Sequence, residues 1–257
     1  MIRAAGFIWV LVLVLATAPG RAADLSAEQV RAILASSGPD RPADLSGKSL
    51  ENLDLSNLDF RHADLSGANL FGAKLVGANL AGANLSGAKL DLAWIMRADF
   101  TRANLSNASL FGPVVSSGLD NSPAEAPVFT GANFSGARII ARLSRFDLKG
   151  ANFTAAKMGA DMKNQSMGLM RTDLSGADLS GANFTDADLG RALMRFANLT
   201  GADMRRANLT GVDLSGADLA GADLTGANLT ETDLGGANLA NVRGVDTAQG
   251  SSPPKRP

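Results

Sequence analysis

The 257-residue chain has no cysteine and no tyrosine, and it has only one histidine and two tryptophans. The absence of cysteine excludes disulfides, thiolate metal sites and a cysteine nucleophile. A single histidine excludes metal centres built from several imidazoles and argues against a Ser-His-Asp hydrolase. Aromatic residues make up 5% of the chain, although they usually carry much of the burial in a core of this size. Leucine and alanine must therefore fill the interior.

The chain has no large excess of positive or negative charge. Its formal net charge is −1, and its isoelectric point is about 5.8. Such a balance does not indicate a protein that binds nucleic acid, so we expect no nucleic-acid partner. The sequence offers no cofactor motif, and we expect no cofactor.

Residues 1–23 have the layout of a secretory signal peptide. Arg3 precedes an uncharged, mainly apolar stretch at residues 4–18, and small residues follow it. This stretch is short for a membrane-spanning helix, which needs roughly 20 residues. We therefore expect a periplasmic or secreted bacterial protein, cleaved near Ala22 or Ala23. The alternative is an N-terminal anchor that is not cleaved.

An apolar residue recurs at every fifth position over most of the chain. One unbroken series of 14 runs from Leu45 to Leu110, and another of 15 runs from Leu169 to Leu239. We call this residue the core position. Alanine stands two residues before it in 11 of the first 14 repeats, and Asp or Asn often lies between them. We call the earlier position the alanine position. The register slips between the two series.

A period of five fits neither an α-helix nor a flat strand. It predicts a short extended segment followed by a turn, with the core and alanine positions pointing inward. Four such units make a squared coil of about 20 residues, and successive coils stack at the strand spacing of ~4.8 Å. Gly, Asn and Ser are expected at the corners, which need unusual backbone angles.

The pattern A-(D/N)-L-S-G, from roughly Ala43 to Leu239, resembles the pentapeptide-repeat family. The resemblance implies an all-β fold, a right-handed quadrilateral β-helix. It does not imply one biochemical activity. Some members are dimeric DNA mimics that bind type II topoisomerases and confer quinolone resistance.

The sequence also predicts how the solenoid is interrupted and capped. We expect a helical N-terminal cap in residues 24–40, because Ser26 and Gln29 form a plausible capping box before a helix at residues 27–36. We predict β-helix coils at 41–110 and 129–243, with 141–170 irregular, and a disordered tail at 244–257. A loop insertion is predicted at 111–128, where the period breaks and Pro113, Pro123 and Pro127 occur. The C-terminal coil lacks such a cap and could pair with a second copy, giving a homodimer.

A basic segment lies in the irregular part of the chain, where seven basic residues stand near only Asp147 and Asp161. The seven are Arg138, Arg142, Arg145, Lys149, Lys157, Lys163 and Arg171. One interpretation is a patch for an anionic partner, such as an envelope component, with Arg138, Arg142, Arg145 and Lys149 as its candidate residues. The other is a solvated outer face, since charged residues must point outward somewhere.

Two further groups invite a functional interpretation. Four methionines, Met158, Met162, Met167 and Met170, could bind copper in an exported protein, but methionine also fills irregular gaps in a core. His62 follows Phe60 and is expected on an outer corner. The aspartates that precede core leucines point outward and do not converge into a cleft, so no catalytic residue and no metal site is predicted.

Three functions remain. The first is an exported, non-enzymatic rod that is structural or binds a macromolecule. The second is a DNA mimic, although only residues 207–240 are distinctly acidic, with five acidic residues and none basic, and export would separate the chain from DNA. The third, an enzyme, has no nucleophile–base pair to support it.

Overall fold

The computed structural model describes residues 23–118, 121–160 and 170–250. The predicted signal peptide lies outside the described residues except for Ala23, as do Met162, Met167 and Lys163. Within the described ranges, no helix is long and apolar enough to cross a membrane.

The chain winds into coils that stack in parallel. In regular coils each bridge joins residues twenty apart, as Asp64 pairs with Asn84. The N–H of Leu65 donates to the Asn84 carbonyl at 2.7 Å, and the N–H of Asn84 donates to the Ala63 carbonyl at 2.9 Å. Four bridge positions per coil give four faces. We number them by the first bridging residues of each: 44, 64 and 84 on face 1, 49, 69 and 89 on face 2, 54, 74 and 94 on face 3, and 59, 79 and 99 on face 4.

Regular secondary structure is short because every face is only about three residues wide. The described strands are β1 at Ser109–Phe111 and β2 at Arg138–Ile140, which pair in parallel on face 2. One helix, α1, spans Ala27–Ala35. The hydroxyl of Ser26 accepts from the Gln29 N–H at 3.3 Å, and the Ser26 N–H donates to the Gln29 side chain at 2.7 Å. Val30 of this helix is fully buried in the core.

The core is a single column of inward side chains. Core-position residues such as Leu65 and Leu85 are fully buried, and so are alanine-position residues such as Ala68. The first coil departs from this rule, because Leu53 and Leu58 take the alanine position. These larger side chains fit at the end of the tube, where no further coil lies above them.

Five phenylalanines pack ring against ring where the register slips. The rings in successive coils are stacked, with centroids 5.0, 5.1 and 4.8 Å apart, close to the spacing between coils. Phe129 and Phe134 lie on neighbouring faces of one coil and meet edge to face at 5.3 Å. The stack contains Phe100, Phe129, Phe134, Phe153 and Phe184. Aromatic volume therefore fills the tube where regular leucine packing is interrupted.

The Asp or Asn before each core residue closes the following corner. Its Oδ1 accepts the N–H two residues later, as Asp64 does from Ser66 at 2.9 Å. Asparagines on face 1 also bond to one another, each Nδ2 donating to the Oδ1 one coil before at 3.0–3.1 Å. This amide ladder joins Asp64, Asn84, Asn104, Asn133 and Asn152.

The insertion predicted at 111–128 is shorter in the structure and occupies 116–126. Val114 still bridges Trp94 on face 3, and two of the three prolines taken as loop signals, Pro113 and Pro127, are buried at alanine positions. The prediction was wrong because an N–H at this position donates only to the carbonyl three residues back, so proline forfeits one corner hydrogen bond and leaves the ladder intact.

The irregular segment predicted at 141–170 is also shorter. One corner residue is missing between Ile139 and Leu143, after which the period of five holds through Met158 and breaks only at 159–171. The tail predicted as disordered from 244 departs from expectation as well. Gln249 bridges Asn228 on face 2, so the chain stays in the coil up to that point.

Thr172 bonds to two core carbonyls at this break. At regular corners the core carbonyl accepts the N–H three residues later, as Phe60 does from Ala63 at 2.9 Å. The buried Thr172 hydroxyl instead lies 2.8 Å from the carbonyl of Ile139 and 2.9 Å from that of Met158. Its single hydrogen is shared between two buried acceptors.

Thr172→Val should destabilise the protein by about 1–3 kcal/mol, because it keeps the shape of the side chain but leaves buried carbonyls without their donor. The measurement is urea unfolding of the variant and the wild type. The matched control is Thr232→Val, since Thr232 also takes an alanine position but is only partly buried and bonds to one carbonyl, that of Leu209 at 2.8 Å. An equal loss in both variants would contradict this role for Thr172.

Candidate functional site

The structure places the four candidate basic residues on different parts of the rod. Arg138 lies on face 2 and Arg142 on face 3. Arg145 occupies the corner between faces 3 and 4, and Lys149 the corner between faces 4 and 1. All four are exposed, but they do not form the single patch that their closeness in sequence suggested. A coil turns through a full square in about twenty residues, so twelve residues of sequence cross several faces.

Two of these residues have local partners away from the others. The Nζ of Lys149 lies 3.6 Å from Asp178 in the next coil. The guanidinium of Arg138 lies over the ring of Phe111, with 5.6 Å between the Cζ atom and the ring centroid. Neither residue lines a cavity with Arg142 or Arg145.

Arg142 and Arg145 do come together, in a surface groove of about 570 Å³. A third arginine, Arg195, lines the same groove beside Asp173 and Phe196. The groove crosses three successive coils at the corner between faces 3 and 4. We call it the arginine groove.

Gly176 creates the depth of the arginine groove. Its N–H donates to the Arg195 carbonyl at 2.7 Å, and its neighbour Ser175 accepts from the Arg145 N–H at 2.9 Å, so it sits between the two arginine-bearing coils. Gly176 has a φ of +66°, and a Cβ atom built there would lie 3.4 Å from the Cγ of Arg145. The stem of Arg145 therefore lies across a corner that carries no side chain.

The groove carries more positive than negative charge. Three arginines line it against one carboxylate, that of Asp173. Arg195 is held in place from outside, because its Nε lies 3.2 Å from the carboxylate of Asp213 on face 3. Guanidinium groups present several donors in a fixed plane, which suits carboxylate, sulfate or phosphate groups.

The insertion forms one wall of the groove. The Asn121 side chain donates to the carbonyls of Arg142 and Ser144 at 3.1 and 3.2 Å. The base of the insertion is closed by Glu125. The backbone N–H of Ser117, its hydroxyl and the hydroxyl of Ser116 all donate to this carboxylate and hold the pKa of Glu125 below its ordinary value.

The other predicted groups remain scattered in the structure. Met158 is buried in the core and Met170 is partly buried, while the other two methionines of the group fall outside the described residues. His62 lies on an exposed corner. Among residues 23–118, 121–160 and 170–250, no three His, Asp or Glu side chains group closely enough to hold a metal ion.

Sequence reasoning missed Arg195 and Phe196. They follow Ser175 and Gly176 by twenty residues, one regular coil, so the sequence predicts that they lie beside those two residues. The sequence does not predict that they lie near Arg145. The break at 159–171 lengthens the step from Arg142 to its bridge partner to 31 residues, instead of twenty.

Comparison with known proteins places this architecture in one family. The family model for pentapeptide repeats matches in 8 copies, at residues 43–70, 63–102, 172–211 and 207–243. No curated protein matches the chain.

Several solved structures are similar to the chain. HetL, a pentapeptide repeat protein involved in heterocyst differentiation regulation in the cyanobacterium Nostoc sp. strain PCC 7120, is 27% identical, with 89% of this chain and 99% of HetL covered and a TM-score of 0.38. QnrB1, a plasmid-mediated fluoroquinolone resistance protein, is 21% identical over 76% of this chain and 92% of its own, with a TM-score of 0.36. A pentapeptide repeat protein from the Arabidopsis thaliana thylakoid lumen is 27% identical over 60% of this chain and 76% of its own, with a TM-score of 0.27.

The family is associated with a right-handed quadrilateral β-helix, which agrees with the four-faced coils described above. The chain belongs to the pentapeptide repeat family.

Proposed function

We propose that the protein is an exported, non-enzymatic binding rod, and that its arginine groove holds an anionic group of an envelope macromolecule. The observation that carries this proposal is the convergence of Arg142, Arg145 and Arg195 on one groove from two different coils. Such a convergence needs a defined fold, whereas isolated surface arginines occur on any solvated face.

The interior of the rod supports a binding function over catalysis. Catalytic sites usually form in enclosed pockets where polar groups converge. The interior of the described coils is instead filled by leucine, alanine and phenylalanine. The aspartates beside the core accept corner N–H groups, as Asp213 does from Ser215 at 3.1 Å, so they are engaged in closing the coil.

The alternative, a DNA mimic that binds a type II topoisomerase, requires a continuous acidic surface. The acidic residues of segment 207–240 lie on several faces: Asp213 and Asp233 on face 3, Asp218 on face 4 and Asp223 on face 1. Arginines also pair with this segment, since Arg243 lies 3.3 Å from Asp223. The acidic charge is therefore dispersed and partly neutralised, which favours the binding rod.

Arg142→Gln combined with Arg145→Gln should weaken capture of anionic material from an envelope extract without changing the melting temperature. Both side chains are exposed and lie outside the core, so their substitution should leave the coil stack intact. Capture by the wild type should also fall as salt rises, because exposed charges are screened over ~8–10 Å at physiological ionic strength.

The matched control is Arg102→Gln combined with Arg191→Gln. These arginines occupy the same corner position as Arg145, with their Cγ atoms over Gly131 and Gly211, and their removal changes the net charge equally. Equal capture by all three proteins, or equal loss in the two variants, would assign the basic segment to a solvated face.

We also propose that export removes the N-terminal segment, and its support is the charge and hydropathy pattern of residues 1–23. Mass spectrometry of the cellular protein should find a mature N-terminus at Ala23 or Asp24 in the periplasmic fraction. An intact Met1 on soluble cytoplasmic protein would contradict export and favour the topoisomerase alternative.

A second copy of the chain is our proposed partner for the C-terminal end. In the last coil the core residues Leu234 and Leu239 are only partly buried, whereas Leu214 and Leu219, one coil earlier, are fully buried. The end of the rod therefore presents apolar side chains together with the edge of a stacked coil, which another end can cover.

Light scattering should give the mass of a dimer for the wild type and of a monomer for Leu239→Glu, because a charge at the apolar end opposes its burial. Ala240→Glu is the control, since Ala240 is exposed and lies beside Leu239 in the same coil. A monomeric wild type at all concentrations would exclude this pairing.

A further inference from the structure

Large apolar side chains are exposed along one corner of the rod, between faces 2 and 3. Phe71, Leu92 and Trp94 are 41%, 44% and 42% exposed, and they lie in two successive coils. The half-buried Phe111 follows them in the next coil. We call these four residues the aromatic edge.

Backbone hydrogen bonds fix the aromatic edge as one continuous surface. The N–H of Gly72 donates to the Asp91 carbonyl at 3.0 Å, and the N–H of Leu92 donates to the Phe111 carbonyl at 3.0 Å. A Cβ atom built on Gly112 would lie 3.3 Å from Cδ2 of Leu92, so the leucine leans over the next coil. The edge is therefore part of the rigid coil stack.

The fold does not require these apolar residues. Phe71 is the first residue after a core position, and Leu92 is the second. In the first coil, at the corner between faces 3 and 4, these two positions are taken by Ser56 and Asn57. Asn57 has a φ of 58° and Leu92 a φ of 56°, a left-handed region that favours asparagine and disfavours leucine. Exposed apolar side chains at a position where polar ones serve the fold as well indicate an interaction surface.

Cations surround the edge. The Nζ of Lys74 lies 5.9 Å from the Trp94 ring centroid, and the Cζ of Arg138 lies 5.6 Å from that of Phe111. Lys89 stands on face 2 and bridges Ser109, in the coil above Phe71. Carboxylates border the edge as well, and the fold engages each of them. Asp91 accepts the Ser109 hydroxyl at 2.6 Å and the Phe111 N–H at 2.8 Å. Glu51 accepts from the Asn69 side chain, and Asp54, which bridges Lys74, accepts the Ser56 N–H at 3.1 Å.

We propose that the aromatic edge docks the rod onto the surface of an anionic lipid bilayer. Tryptophan, phenylalanine and leucine bounded by lysine and arginine are typical of surfaces that enter the boundary between headgroups and acyl chains. Lysine is depleted at the centre of protein–protein interfaces, so Lys74 against the Trp94 ring, with Lys89 on the neighbouring face, favours lipid over a protein partner. The rings enter the boundary, and Lys74, Lys89 and Arg138 contact lipid phosphates.

This inference is independent of the arginine groove. The two surfaces share no residue, and a defect in one leaves the other intact. A variant with Arg142→Gln and Arg145→Gln should therefore lose its anionic partner while keeping its contact with vesicles, which separates failure of the two proposals.

Fluorescence of Trp94 provides a test that reports on the site itself. The chain has two tryptophans, and Trp9→Phe leaves Trp94 as the sole emitter whether or not the first 22 residues are attached. In this background the emission should shift to the blue with vesicles of phosphatidylglycerol and phosphatidylcholine, and stay unchanged with phosphatidylcholine alone. Raising salt should reverse the shift, because the attraction is screened.

Two variants measure the contributions of the charged and the apolar residues of the edge separately. Lys74→Gln, Lys89→Gln and Arg138→Gln together should weaken partition roughly 100-fold, at about a factor of five for each charge near an anionic leaflet. Phe71→Ser with Leu92→Asn should abolish the shift of Trp94 while circular dichroism stays that of the wild type, because these residues already occupy equivalent corners.

The control for these variants is Val128→Thr. Val128 is 38% exposed and lies on face 4, so the substitution removes an exposed apolar side chain away from both the edge and the arginine groove. It should bind vesicles like the wild type. An emission maximum that does not move with anionic vesicles, or moves equally with neutral ones, would overturn the proposal, and a protein partner for this edge would give the first of these results.

Discussion

The stacking of each coil on the next determines almost everything else in this protein. Parallel backbone bonds join residues twenty apart, and the spacing of ~4.8 Å between coils leaves room inside for one large side chain and one small one per face. Leu65 and Ala63 show the regular solution, and the phenylalanine stack shows the other, in which rings pack at nearly the spacing of the coils. At the break in the repeat, the Thr172 hydroxyl bonds to two core carbonyls, a role that backbone N–H groups fill at regular corners.

The same stacking sets a rule for the corners. The second residue after the core position has a positive φ, so it is glycine or a residue that tolerates the left-handed region. Where it carries a side chain, that side chain often leans over a glycine in the next coil, as Asn52 does over Gly72 and Phe196 over Gly216. Asp186 instead meets Arg206, at the same corner of the next coil, in an ion pair. The corner residue of the next coil therefore shapes the grooves and ridges of the rod.

Most of the fold could be predicted from the sequence, because inward residues repeat at a fixed interval over long unbroken runs. The prolines of segment 111–128 made the predicted loop too long, since Pro113 is a loop signal in most folds but here loses only a corner hydrogen bond. The candidate site was predicted less well. Neighbours in sequence such as Arg138 and Lys149 lie on different faces, and the true neighbour of Arg145 is Arg195, two coils away across a break whose length the period cannot supply.

Function on such a rod must arise from columns of outward side chains. Face 3 connects the two surfaces of interest, because its bridging column contains Trp94 and, two coils further on, Arg142. The aromatic edge borders one side of this face and the arginine groove the other. A rod lying with its aromatic edge against a bilayer would therefore carry face 3, and the groove beside it, near the anionic headgroups. The insertion at 116–126 lies between the two surfaces along the rod and forms a wall of the groove, so the one large interruption of the early repeat stands where the surface changes from apolar to basic.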